Sequence, residues 1–149
     1  MKAVVQRVTQ ASVTVNDTVT GKIEHGLLVL VAVHKEDELE EIKWVADKIV
    51  KLRVFEDDAG KMNKSLQDIN GGILLVSQFT LYGDVRKGTR PSFINSAQPQ
   101  KAEHLYDQMI SYLKNTYSID VQTGRFAAKM DVALVNDGPV TLIVEKNKI

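Results

Sequence analysis

Polar and apolar positions change period several times along the chain, and each change marks an element. Val4 to Val8 and Ser12 to Val15 alternate in part and are rich in β-branched residues, which predicts two strands. Asn16-Asp17 is a turn signal, so Val19 to Ile23 is expected to fold back as a hairpin partner. His25-Gly26 breaks the pattern. Leu27 to Val33 is then a continuous apolar run, as expected of a strand buried on both faces. The period next becomes helical. Leu39, Ile42, Val45, Ala46, Ile49 and Val50 share one face, with Trp44 at its edge. Asp37, with Glu40 three positions later, is the predicted N-cap.

Arg53-Val54-Phe55 reads as a short strand, and Lys61-Met62-Asn63 pairs back across the turn Asp57 to Lys61. Ile73 to Val76 is a second fully apolar strand that runs into Ser77-Gln78-Phe79-Thr80. Leu81 to Gln98 is irregular, and so long an irregular stretch in a small domain usually serves function. A second helix is predicted from Pro99, with Ala102, Leu105, Tyr106, Met109, Ile110 and Leu113 on its apolar face. Val132 to Val135 and Val140 to Val144 are two strand-like runs, separated by Asn136-Asp137-Gly138-Pro139. Strands outnumber helices and the turns are short, which implies mostly antiparallel pairing. The expected class is α+β: a sheet curved toward a barrel, with two main helices.

Composition narrows the chemistry. Residues 1–149 fit one domain. There is no cysteine, which excludes disulfides, thiolate metal sites and a cysteine nucleophile. His25, His34 and His104 lack ligand spacing, so no metal or other cofactor is expected. The N-terminal segment has no signal-peptide core, and the longest apolar stretch, Gly26 to Val33, is too short to span a bilayer. A cytoplasmic protein without membrane contact is the expectation. Nineteen basic and nineteen acidic side chains cancel, which argues against a broad nucleic-acid surface. Arg86, Lys87 and Arg90 are the one dense local cluster, on a Gly- and Pro-flanked loop that suits either a phosphate contact or a solvated turn.

Ser77 to Thr80 places hydroxyls, an amide and free backbone N–H groups at a strand end. This suits an oxyanion site, but by itself such a run more often marks a strand end whose Ser and Thr satisfy local backbone. Gly138-Pro139 interrupts a strand pattern and reads locally as a trans proline in a hairpin loop.

Taken in order, these segments resemble one family. Ser77-Gln78-Phe79-Thr80-Leu81 and Asn136-Asp137-Gly138-Pro139-Val140-Thr141 are similar to the two signature motifs of the D-aminoacyl-tRNA deacylases. So are Gln6-Arg7-Val8 with Ala11-Ser12-Val13, Gly60 to Asn63, Lys87-Gly88 with Arg90 to Phe93, and Thr123-Gly124-Arg125-Phe126. The resemblance covers the whole chain. It implies a homodimer with sites at the subunit interface and no obligate protein partner besides. It implies hydrolysis of the ester between a D-amino acid, or mischarged glycine, and the 3′-terminal adenosine of tRNA. Ser77, Gln78, Phe79 and Thr80 would hold the adenosine and ester. Gly138 and Pro139, joined by a cis bond, would enter the partner's pocket as a chiral filter, supported by Arg7; Asn136 and Phe126 would complete the substrate site, and Arg86, Lys87 and Arg90 the tRNA contact. Thr80 could be the nucleophile. The favoured scheme instead lets the free 2′-hydroxyl of the terminal ribose activate water. A peptidase or esterase acting on small D-aminoacyl esters, and a non-catalytic nucleic-acid module, remain competing readings.

Overall fold

The computed structural model describes residues 1–148. The first strand, β1 (Lys2–Val15), is the spine of the fold. Its side chains alternate between buried and half-buried positions, the period of a strand with two unequal faces. The two strands expected here are one continuous strand. β2 (Thr18–Ile23) returns antiparallel to its second half, across a turn in which Asn16 and Asp17 both have positive φ. β3 (Gly26–Ala32) pairs antiparallel with the first half, Lys2 to Val8.

Helix α1 (Leu39–Lys51) follows, with Ile42, Val45, Ala46, Ile49 and Val50 buried as predicted. Leu39 is exposed instead, because it lies in the first turn, before the helix meets the core. The expected cap is also corrected. Glu38 is the N-cap residue, and its N–H donates to Glu41 Oε2 at 2.8 Å. Asp37 is fully buried one residue earlier, 2.6 Å from the N-terminal ammonium of Met1. A carboxylate held in that pair cannot reach the helix amides.

The hairpin β4 (Phe55–Glu56) and β5 (Met62–Lys64) precedes β6 (Gly72–Ser77). Helix α2 (Pro99–Tyr117) leads to β7 (Val121–Thr123). Here the antiparallel expectation fails. β6 runs parallel to β3, and β7 runs parallel to β6. Each of these connections carries a helix, the long crossover that parallel neighbours require. The sheet is therefore mixed, in the order β2-β1-β3-β6-β7. It curls until β2 approaches β7, where Thr20 Oγ1 donates to Thr123 O at 3.3 Å. Gly21 makes the approach possible, since a Cβ there would lie 2.4 Å from Thr123 O. The result is a nearly closed barrel with both helices packed on one side. Among the described residues no helix is long and apolar enough to cross a membrane.

The last strand, β8 (Asp131–Glu145), corrects a further expectation. It is one strand of 15 residues along almost all of β1, with the Asn136 to Pro139 segment inside it. The pairing slips between Gln6 and Val8 and again between Val8 and Gln10, so the segment bulges out of the ladder. A hairpin loop would have turned the chain back. β8 pairs with β1 alone among the described strands, which leaves its other edge open.

Candidate active site

The predicted site residues separate into three groups. The first lines a cleft of about 520 Å³ beside the end of β6. The fully apolar run of β6 carries the chain up through the sheet, where Gln78 N–H closes the ladder on Val31 O at 2.7 Å. A 3₁₀ turn, Phe79–Tyr82, follows at once. Such a turn leaves its first N–H groups without internal acceptors. Those of Phe79 and Thr80 donate to no acceptor outside the turn among the described residues.

Ser77 and Gln78 are half-buried on the cleft wall, and the Phe79 ring is 54% exposed at its mouth. Phe79 meets Phe93 edge to face at 5.1 Å. Phe126 lies opposite, on the loop after β7, backed by Tyr106 at 6.0 Å. The Tyr106 hydroxyl donates to Leu75 O at 2.6 Å; burial pushes it well above the ordinary tyrosine value, so it remains a donor. Beside Phe126, Ala127 has a φ of +61°, a left-handed conformation that costs an L-residue about 1–2 kcal/mol.

The cleft is mostly apolar, with Ser77, Gln78, Ser96 and Gln98 as its polar lining. No ionisable side chain lines it. Thr80 stands outside it, exposed, and its hydroxyl accepts a 2.6 Å hydrogen bond from Gln78 Nε2. A carboxamide cannot take a proton from that hydroxyl, so nothing here activates Thr80 as a nucleophile.

The second group is the β8 bulge. Gly138 and Pro139 are exposed, joined by a cis peptide bond, and neither lines the cleft of its own chain. The bulge is braced from beneath. Arg7 is 5% exposed and donates through Nη1 to Val54 O at 2.7 Å and through Nε to Asp137 O at 3.0 Å. Its Nε also lies 3.2 Å from Asp137 Oδ2. Asn136 Nδ2 donates to Arg7 O at 3.0 Å and to Val140 O at 3.1 Å, which ties the two ends of the bulge together. Arg7 and Asn136 thus belong to the support of Gly138 and Pro139.

The third group, Arg86, Lys87 and Arg90, lies on an exposed loop closed by backbone hydrogen bonds between Asp84 and Ser92. None of the three lines the cleft. The Arg86 guanidinium forks onto Asp84, with its closest contact at 2.7 Å, and holds that carboxyl down to about 2. One of the three expected positive charges is therefore paired internally.

Sequence reading missed several cleft residues. Phe93, Ser96, Met130 and Val132 line it, and only Phe93, an aromatic in a polar loop, carried any signal. Among the described residues, no three His, Asp or Glu side chains are grouped so as to hold a metal ion.

Comparison with known proteins places the chain in a family. The model of the family described as D-Tyr-tRNA(Tyr) deacylase matches residues 4–145. The D-aminoacyl-tRNA deacylase of Petrotoga mobilis is 59% identical over 149 residues, covering 100% of this chain and 99% of its own. That of Exiguobacterium sibiricum is 58% identical over 146 residues, covering 98% of this chain and all of its own. Among solved structures, the c-Myc DNA Unwinding Element Binding Protein superposes with a TM-score of 0.94 at 43% identity, covering 99% of this chain and 100% of the other. A probable eukaryotic D-amino acid tRNA deacylase shares the fold at a TM-score of 0.83 and 18% identity, covering 96% and 97%. A family model that matches almost the whole chain, and relatives 59% and 58% identical over nearly its full length, lead to one assignment: the chain belongs to the D-Tyr-tRNA(Tyr) deacylase family.

Proposed function

We propose that the chain hydrolyses the ester between a D-amino acid and the 3′-terminal adenosine of tRNA, with a second copy supplying Gly138 and Pro139 to exclude L-residues. Membership of the family carries the hydrolase activity on D-aminoacyl-tRNA esters. The finer reading rests on one observation: the cleft has no ionisable lining, and the bulge that would filter its substrate projects elsewhere.

Adenine is flat and apolar on its faces, which suits a cleft with Phe79 and Phe93 at its mouth. The ester carbonyl then lies near the N–H groups of Phe79 and Thr80, placed to stabilise the oxyanion. With no base in the cleft, the proton relay must arrive with the substrate. The free 2′-hydroxyl beside the ester fills that role by orienting the attacking water. Thr80 stays a positioning residue.

The open edge of β8 supports the second copy. Leu134, Val135, Leu142 and Ile143 are exposed along it, an apolar surface that a long unpaired edge strand seldom leaves to solvent. A partner's Gly138 and Pro139 backbone, braced as here by Arg7 and Asn136, would stand close to the substrate Cα. It would leave room for hydrogen on one side only. An L side chain would collide, a D side chain would turn away, and glycine on mischarged tRNA would pass. Identity of the D side chain would be poorly read. The reaction would run in the cytoplasm, where charged tRNA is used, with no protein partner beyond the second copy.

The test is hydrolysis of matched D- and L-aminoacyl-tRNA by wild type and Asn136→Ala. Wild type should act on the D ester alone. The variant loses two hydrogen bonds of the bulge, each worth about 1 kcal/mol, and should gain measurable activity on the L ester. Equal wild-type rates on both isomers would refute the filter. The name of the relative with 43% identity motivates a second reading, duplex DNA binding. Salt titration against tRNA and duplex DNA separates the two.

A further inference from the structure

A second, polar pocket of about 310 Å³ lies on the other side of the 3₁₀ turn from the cleft. Phe79, at the head of the turn, belongs to the cleft, whereas Leu81, Tyr82 and Gly83 wall the second pocket. A 3₁₀ turn rises roughly 2 Å per residue, so the two openings are separated by about 6 Å along it. That is the reach of a single nucleotide in an extended strand. A nucleotide that precedes an adenosine in the cleft is therefore within reach of the second pocket.

The chemistry of the pocket suits a base edge. Lys2 lies over the Tyr82 ring at 5.1 Å and 3.8 Å from Glu145 Oε2. Glu145 and Asn95 both line the pocket and are solvent-accessible, and the one charged contact of Glu145 is through Oε2, which leaves Oε1 and the Asn95 amide to a ligand. A carboxylate oxygen accepts from the exocyclic amine of cytosine, and a carboxamide satisfies its ring acceptors. Lys2, which also donates to Leu81 O at 3.4 Å, is the cation of the lining left to face the phosphate, since Arg86 is paired with Asp84. The volume is at the lower end for ligand sites, which favours a pyrimidine over a purine.

We infer that this pocket is a second substrate subsite that seats the cytidine preceding the terminal adenosine, with Glu145 and Asn95 reading its base edge and Lys2 facing its phosphate. The inference rests on the reading of the cleft as the adenosine site. Every tRNA ends in cytidine-cytidine-adenosine, so this subsite would add affinity for the 3′ end of any tRNA while leaving the amino acid unread.

The experiment compares three small substrates: a D-aminoacyl ester of adenosine, of cytidylyl-adenosine and of uridylyl-adenosine. Wild type should show a kcat/KM about tenfold higher on the cytidylyl compound than on the adenosine ester, the effect of one well-placed pair of base contacts. The uridylyl compound should lose most of that gain. Glu145→Gln and Asn95→Ala should remove the cytidine preference while leaving hydrolysis of the adenosine ester within about twofold of wild type. Both side chains are solvent-accessible, so the variants should fold. Equal wild-type rates on all three esters, or a preference that survives both substitutions, would overturn the subsite and leave the adenosine cleft standing. Failure of wild type to hydrolyse any D-aminoacyl substrate would overturn both.

Discussion

Arg7 and Asp37 are buried charges, and both were hard to read from sequence for the same reason. Asp37 has the right residue type and spacing for a helix cap, yet it is spent on the Met1 ammonium, 36 positions away in sequence. Arg7 sits in an alternating strand pattern that says nothing of Val54 O or Asp137 O, its partners on other elements. Local rules report local partners, and these are contacts of the finished fold. Glu41 is a third buried charge and makes a testable case. Burial pulls its carboxyl upward, but hydrogen bonds from the backbone of Glu38 and of Glu41 itself outweigh that and hold it below the ordinary value. A carboxylate lowered by folding contributes stability that is fully present above its unfolded value and is lost as pH falls through its folded one. Glu41→Gln should therefore destabilise the protein at pH 7, by about 1–2 kcal/mol for a hydrogen bond to a charged group. The difference from wild type should shrink below pH 4. Urea unfolding at pH 7 and pH 3 measures both, and a gap that widens in acid would contradict the assignment.

Elements were legible where one chain segment decides its own form. α2 begins at Pro99 as its sequence signals, and its apolar stripe lies on the core. The hairpin of β1 and β2 follows from Asn16-Asp17. β8 was read as two strands because Asn136 to Pro139 has the composition of a turn. Its continuity depends on β1, which pairs with it on both sides of the bulge and holds the bulge through Arg7. β7 is only three residues long, and its existence depends on β6 beside it. The cleft shared this fate: Ser77 to Phe79 were visible as a motif, whereas Met130 and Val132 reach it only through the curl of the sheet. The open edge of β8 then sets a prediction at this scale. Ile143, on the outward face of β8 near its end, is 71% exposed. If that face is the interface between copies, Ile143→Lys should give a folded monomer. Its rate on D-aminoacyl-tRNA should drop on the order of 100-fold, because a misplaced filter also misplaces the substrate. Sedimentation velocity with circular dichroism reads the outcome. A variant that remains a dimer, or a monomer with full activity, would rule out this edge.

For the whole molecule, zero net charge is a constraint on how RNA is held. A protein that neutralises many phosphates needs a basic excess, and affinity then falls steeply with salt, by nearly one power of concentration per phosphate contact. This chain has no excess to spend, and the loop that concentrates positive charge spends part of its own on Asp84. Binding should therefore depend on seating the last nucleotides in the cleft, with few phosphate contacts and a shallow salt slope of roughly 2 or 3. The Arg86–Asp84 pair makes this adjustable. The Arg86 guanidinium, 2.7 Å away, holds the Asp84 carboxyl down to about 2, so at neutral pH both partners are charged and Arg86 is occupied. Asp84→Asn would release the guanidinium, while the backbone bridge to Ser92 still holds the loop. The expected result is tighter tRNA binding at low salt, with a slope steeper by about one and little change in kcat. Weaker binding, or an unchanged slope, would show that this loop faces away from the RNA. The neutral surface would then be the reason this fold reads only the end of its substrate.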